Sequence, residues 1–309
     1  MKRFLIFILF AALLTGCVAA PADVQTEEGI TFTDALGRVV TVDDPQRVAA
    51  LIGSFADVWM LAGGSLCAAA DDAWEDFGLD REGAVNIGGA HSPSLELLLS
   101  ADPDFVIASS STASNVQMQE TLEAAGITVA YFDVDNFDDY LQMLDICTDI
   151  TGRKDLYECN GLQLQRQIEE IKTAAEQIPQ EQRKVLLIRA AASVIKAKGS
   201  TGTILGEMLE DMGCINIADS ETALLETLSI EAVIREQPYH IFVVTMGSDT
   251  EGAKRMLEDM IRENPAWDSL EAVRSGRMHD MDKQLFNLKP NARWAQAYQK
   301  LYETLKDEF

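Results

Sequence analysis

Three histidines, at positions 91, 240 and 279, are the imidazoles of this 309-residue chain, and one of them stands where chemistry is plausible. His91 follows Gly88-Gly89-Ala90 and precedes Ser92-Pro93, between an apolar run and a helix start, a setting in which a loop brings backbone and side chain close to a ligand. A zinc or manganese centre draws several histidines and carboxylates together, and a lone histidine does not supply that set. His91 is therefore read as a pocket-lining residue ahead of an iron ligand. His240 precedes the strand IFVVT at the end away from that loop and reads as a surface residue, and His279, alternating within a short strand, carries no stronger signal. No GxSxG elbow and no HExxH pair occurs, so hydrolase and zinc-protease chemistry lack their residues. MGSDTEGAKR has the Gly247-x4-Gly252 spacing of a phosphate loop, but Lys254 falls one place late and no hydroxyl residue follows it. It reads as a glycine turn opening a helix, with backbone anion binding as a minor role. No catalytic residue is assigned.

The charge balance narrows the partners. Fifty acidic residues face 25 basic ones, a net charge of −25, in a chain whose 47% hydrophobic content is that of a packed globule. Such a surface repels nucleic acid and anionic lipid, so no nucleic-acid partner is expected. An anionic ligand must meet a local cluster of basic groups, for which Arg189, Lys198, Lys283 and Lys289 are the candidates.

These residues are positioned by an alternation of strands and helices. ITFTDALGRVVTVDDPQRV alternates Ile30, Phe32, Val40 and Val42 around the turn-like Ala35-Leu36-Gly37-Arg38 and predicts a β-hairpin. RVAALIG, LCAAAD, AVNIG, DFVIASS and TVAYFDV follow as strands, several of them continuous apolar runs as in a parallel sheet buried on both faces. SFADVWMLAGG, SPSLELLLSA and NVQMQETLEAAG lie between them as helices. From residue 183 a second set runs through RKVLLIRA, SVIKAKG, TILGEMLEDMG, INIAD, SIEAVIREQ, HIFVVTM, EGAKRMLEDMIREN and RMHDMD to a closing helix ARWAQAYQKLYETLK. Between the two sets Leu156, Leu162, Ile168, Ile171 and Ala175 recur at helical spacing until Pro179. The expected architecture is α/β: two Rossmann-like lobes, 30–152 and 180–309, each with a mainly parallel sheet, joined by one long α-helix over 153–179, with a ligand cleft between them.

In open α/β sheets ligands bind beyond the carboxyl ends of the strands. That rule selects Ser54, Phe55, Trp74, the loop Gly88 to Ser92 with Gly89, His91 and Ser92, and the run Ser109 to Ser111 with Ser110 in the first lobe. In the second it selects Arg189, Lys198 to Thr201, Thr245 and Met246 to Ser248, Lys283 and Phe286.

The first 16 residues stand apart. Lys2 and Arg3 precede FLIFILFAALL, a run too short to span a bilayer comfortably, which is the layout of an export signal. Leu14-Thr15-Gly16-Cys17 resembles the bacterial lipobox, in which Cys17 would be lipidated and become the new N-terminus, with 17–29 as a tether. The expected location is the outer face of the bacterial cytoplasmic membrane. Losing residues 1–16 removes Lys2 and Arg3 and brings the net charge to near −27. The four remaining cysteines, 67, 147, 159 and 214, show no CxxC and no metal spacing. Export permits disulfides and Cys147 with Cys159 is the closest pair, but three connectivities stay open and buried free thiols are the simpler reading.

From ITFTDALGRVVTVDDPQRVAAL through NIGGAHSPSLELLLSADPDFVIASS to NPAWDSLEAVRSGRMHDM, the chain resembles the two-lobed, class III substrate-binding lipoproteins of ABC importers that bring in metal chelates, meaning ferric siderophores, haem and cobalamin. The specific motif is a glycine pair, a short loop, Pro-x-Leu-Glu, and a Pro-Asp leading into a strand. The resemblance implies a monomeric binding protein without enzymatic activity or resident cofactor, in which metal enters only as part of the chelate. Its implied partners are a permease with its ATPase. Glu96 in SPSLELL and Glu231 in LSIEAVIREQ look like the two glutamates with which family members dock on permease arginines. Haem binders of the family often place a tyrosine directly after the loop glycine, where this chain has Ala90; a ferric siderophore held by Arg189, Lys198, Trp74 and Phe286 fits better. Haem, through His91, or a corrinoid is the alternative within the class. An exported two-lobed enzyme acting on an anionic substrate is the alternative outside it, and its nucleophile or metal set is missing.

Overall fold

The computed structural model describes residues 29–81, 83–221, 223–247 and 249–306. The export signal and lipobox, within residues 1–28, and Ser248 lie outside the described residues. Among the described residues no helix is long and apolar enough to cross a membrane.

Strands β1 (Ile30–Thr33) and β2 (Val39–Val42) form the expected antiparallel hairpin, with Ile30 opposite Val42. Its turn is fixed by chemistry that the sequence DALGR supplies. The Asp34 carboxylate accepts the backbone N–H of Leu36 and of Arg38 at 3.0 Å each and also the Arg38 guanidinium, which reaches on to the carbonyl of Val129. Burial raises the Asp34 pKa, but these donors outweigh it and hold the carboxyl below its ordinary value.

Strands β3 (Val48–Ala50), β4 (Ala68–Ala69), β5 (Val85–Asn86), β6 (Phe105–Ser109) and β7 (Thr128–Phe132) build a parallel sheet in the order β5-β4-β3-β6-β7. Its central strands are apolar on both faces because helices cover both. The order reverses between β3 and β6, so the crevice at their carboxyl ends is where this topology leaves room for a ligand.

The second sheet joins β8 (Lys184–Ala191), β10 (Ile215–Asn216), β11 (His240–Thr245) and β12 (Met278–Met281) in the parallel order β10-β8-β11-β12. Its reversal falls between β8 and β11. Strand β9 (Val194–Lys198) folds back antiparallel on β8, with Ala191 opposite Val194 and Leu187 opposite Lys198.

Helical structure runs between the lobes from Lys154–Tyr157 through a π-helical turn, Glu158–Leu162, into Gln163–Ala175. The π turn has local partners in the first lobe: the Asn160 carbonyl accepts the Tyr140 hydroxyl at 2.8 Å and the Asn160 amide donates to the Leu61 carbonyl at 2.9 Å. At the other end the buried Arg183 donates to the carbonyls of Ala175, Glu176 and Ile178, which seals the helix terminus with a cation.

The chain also crosses back. Asn291, fully buried, donates its amide to the Ser54 carbonyl at 2.9 Å and to the Asp57 carboxylate at 2.8 Å. Trp294, which opens the closing helix Trp294–Lys306, lies edge-on to Phe137, with ring centroids 5.9 Å apart, beside Tyr140. One continuous hydrophobic core therefore reaches from β3 and β6 of the first lobe to β8 and β11 of the second.

Candidate functional site

The first-lobe wall of the cleft is built by the loops after β4, β5 and β6. Gly88 has a φ of +92°, which an L side chain rarely adopts, and its N–H donates to the Asn86 side chain at 2.8 Å. This bend starts a turn closed by Ser92 N–H on the Gly89 carbonyl, and leaves His91 and Ser92 exposed. Ser110 is held by the Phe132 carbonyl, while the hydroxyls of Ser109 and Ser111 meet at 2.9 Å. Trp74, half-buried in the short helix Asp72–Glu75, carries the Arg81 guanidinium 4.5 Å over its ring.

The second-lobe wall carries the charge that the composition demanded. Val185 and Leu187 of β8 face the shared core, so Arg189, two residues on, stands on that face at the strand's carboxyl end. Ile195 and Ala197 of β9 face the outer core, which turns Lys196 and Lys198 to the side of Arg189. Arg189 and Lys196 are direct cross-strand partners. None of the three has an ion-pair partner among the described residues, and the Arg189 Nε is buried without a hydrogen-bond partner. Burial pushes the Arg189 pKa down; burial, then the charges of Arg189 and Lys196, do the same to Lys198. Like charges placed directly opposite weaken a strand pair, so an anion bridging them would relieve a repulsion built into the fold.

The other two candidate cations face first-lobe groups. Lys283 pairs with Asp76 of the first lobe at 3.2 Å. Lys289 sits 5.9 Å from the Phe55 ring centroid; burial lowers its pKa while Asp135, Asp133 and Asp139 oppose that shift.

Several expected contacts are corrected by burial. Phe55 and Phe286 are 0% and 1% exposed, so both are core residues that support the wall and do not face a ligand. Thr245 is buried at the end of β11, whereas Met246 beside it is exposed. Ser54 is buried too, with its carbonyl engaged by Asn291. Lys198 reaches the cationic face by strand register; the strand-end rule misplaces it, since β9 runs against its neighbours and its carboxyl end points the other way. Lys198 and the loop Gly199–Thr203 beyond it line a cavity of about 640 Å³, with Ser200 bonded to Asp219 through both its N–H and its hydroxyl. His240 is fully buried and not at the surface: its Nδ1 lies 3.0 Å from Nε2 of His279, and burial, then His279 and Arg277, push its pKa down to about 4. In MGSDTEGAKR the Asp249 carboxylate caps Gly252 N–H at 2.8 Å and Lys254 pairs with Asp280, so neither is left for an anion. All four described cysteines are free, and Cys159 is exposed where a buried thiol was expected.

Lys196 was missed because it does not lie at a strand end. Its signal was the alternation in SVIKAKG, which puts Lys196 and Lys198 on one face. Glu96 and Glu231 occupy equivalent places in the two lobes, each exposed and second in a helix capped by a serine: Ser94 accepts Leu97 N–H at 3.3 Å and Ser229 accepts Ala232 N–H at 3.4 Å.

A protein-family model described as "Periplasmic binding protein" matches residues 48–285. The Fe(3+)-citrate-binding protein YfmC of Bacillus subtilis (strain 168) is 22% identical over 293 residues, covering 90% of this chain and 88% of its own. The putative ABC transporter substrate-binding lipoprotein YhfQ of the same strain is 22% identical, covering 96% of each. Among solved structures, Staphylococcus aureus SirA complexed with staphyloferrin B matches this fold with a TM-score of 0.71 at 19% identity, over 90% of this chain and 99% of that one.

Proposed function

The chain belongs to the periplasmic binding protein family, and on that premise we propose that it is the membrane-anchored binding component of an ABC importer, taking a ferric siderophore into the interlobe cleft and handing it to the permease. The observation that carries this reading is the cationic face of Arg189, Lys196 and Lys198 on one cleft wall, without an ion-pair partner among the described residues, in a chain with net charge −25. A preformed ferric chelate presents anionic oxygens on its outside, and a guanidinium fork with two ammonium groups recognises such oxygens without a protein ligand to the metal. The Fe(3+)-citrate-binding relative and the staphyloferrin B complex support the same class of ligand.

In this reading iron enters only inside the chelate, and the protein works as a monomer without a resident cofactor. Cys17, outside the described residues, carries the lipid anchor. Glu96 and Glu231, presented alike by the two lobes, pair with permease arginines. The test is a titration of intrinsic tryptophan fluorescence, to which the cleft-rim Trp74 contributes, against ferric siderophores, haem and corrinoids. Saturable quenching by a ferric siderophore is expected. Saturation by haem or a corrinoid alone would reassign the ligand, and chemical turnover of any of them would overturn the binding-protein reading.

A further inference from the structure

The two cleft walls are tied by one stretch of the second lobe, residues 283–294, and the ties differ in strength along it. Near the mouth, Lys283 Nζ meets Asp76 Oδ1 at 3.2 Å, with the two side chains 22% and 28% exposed. Further along, Lys289 enters the first lobe beside Asp133, Asp135 and Asp139. Deepest lies Asn291, fully buried with a φ of +53°, holding both Ser54 and Asp57, and next to it Trp294 against Phe137.

We propose that this stretch is an interlobe strap, with Asn291 and Trp294 as its fixed pivot and the Lys283–Asp76 ion pair as the releasable latch that sets how far the cleft mouth opens in the ligand-free protein. The pivot is fixed because breaking it would strand buried polar groups and expose two aromatic rings. The latch is releasable because a part-exposed ion pair exchanges its partner for water at little cost. Asp76 closes the helix Asp72–Glu75, and Asp71 and Asp72 stand beside it, so the first-lobe side of the mouth is negative. Lys283 is the second-lobe cation that meets it there. The proposal stands apart from the identity of the ligand, since it concerns the empty protein.

Hydrogen-exchange mass spectrometry on the ligand-free full-length chain tests it, because both sides of the latch carry measurable backbone hydrogen bonds, such as Asp76 N–H to Asp72 and Asn287 N–H to Lys283. Asp76→Asn is expected to speed exchange by roughly two- to five-fold in residues 283–288 of the opposite lobe, and Lys283→Gln to do so in residues 72–79. The double variant should add nothing to either single one, and the reversed pair Asp76→Lys/Lys283→Asp should restore protection. Asn291→Gly should speed exchange around Ser54 and Trp294 instead. Variants that alter only their own lobe, or single effects that add in the double variant, would overturn the latch.

Discussion

Replacing Lys196 by glutamine should make this protein more stable and a poorer binder at the same time. Lys196 stands directly across from Arg189 in the β8–β9 register, with Lys198 on the same face, and no acidic side chain neutralises them among the described residues. Opposite charges facing one another in an antiparallel pair contribute roughly 0.2–1 kcal/mol, and like charges there are destabilising, which we take as a cost of about the same size. Lys196→Gln keeps most of the side chain and removes that repulsion, so the unfolding free energy should rise by about 0.5 kcal/mol. For an anionic chelate the same charge counts in the other direction. At a wet surface one charge pair at about 4 Å is worth on the order of 1 kcal/mol, which corresponds to roughly a five-fold weaker Kd. Arg189→Gln should cost more, because its buried Nε has no partner among the described residues and a charge-assisted hydrogen bond contributes roughly 1.5–3 kcal/mol, or about 10- to 150-fold in Kd. Urea unfolding followed by circular dichroism gives the first quantity, and calorimetric titration with ferric citrate at low and high salt gives the second. A variant that gains stability but binds as wild type would put this face outside the site. A variant that loses stability would show that the three cations are compensated and that the repulsion argument is wrong.

Three further outcomes follow from the geometry. His240 has a pKa of about 4 in the folded protein against 6.5 for an ordinary histidine, so the unfolded chain binds the extra proton and stability should fall as pH drops from 6.5 towards 4; His240→Phe should flatten that part of a pH–stability curve, and an unchanged slope would assign the loss to other groups. Asn291→Ala removes the donors to Ser54 and Asp57 and leaves an alanine at positive φ, for an expected loss of about 3 kcal/mol in urea unfolding, of which Asn291→Gly should recover roughly 1 kcal/mol; equal losses would remove strain from the account. Glu96→Lys and Glu231→Lys should each leave chelate affinity as it is while lowering cellular uptake of the radiolabelled chelate, and normal uptake in both would remove the docking role.

The fold was legible because its strands are short apolar runs closed by glycine and polar turns, and a buried parallel sheet leaves that mark in the sequence. RVAALIG, DFVIASS and TVAYFDV became β3, β6 and β7, and DALGR became a hairpin turn whose Asp34 and Arg38 hold each other. The site was legible only as far as one rule reaches. Carboxyl ends of parallel strands point to the cleft, which makes Arg189, Met246, Trp74 and the His91 loop candidates for it. The same rule cannot say which way a side chain turns at such an end, so Phe55, Thr245 and Phe286 were assigned to the ligand although each faces the core.

Lys283 and Lys289 show a different limit. Along the sequence they look like Arg189 and Lys198, basic residues in an acidic chain. What separates them is the opposite lobe, where Asp76 lies 207 positions from Lys283 and the Asp133, Asp135 and Asp139 group waits for Lys289. No local pattern contains that pairing. Its consequence is electrostatic: Lys283 spends its charge on an ion pair between the lobes, and Lys289 lies in the field of three first-lobe carboxylates. The β8–β9 hairpin then offers a ligand three cations without an ion-pair partner among the described residues, with Lys196 making up for the loss of Lys283. A chelate in the cleft is therefore expected to turn its anionic side towards the β8–β9 hairpin, because Asp71 and Asp72 on the first-lobe side disfavour it there.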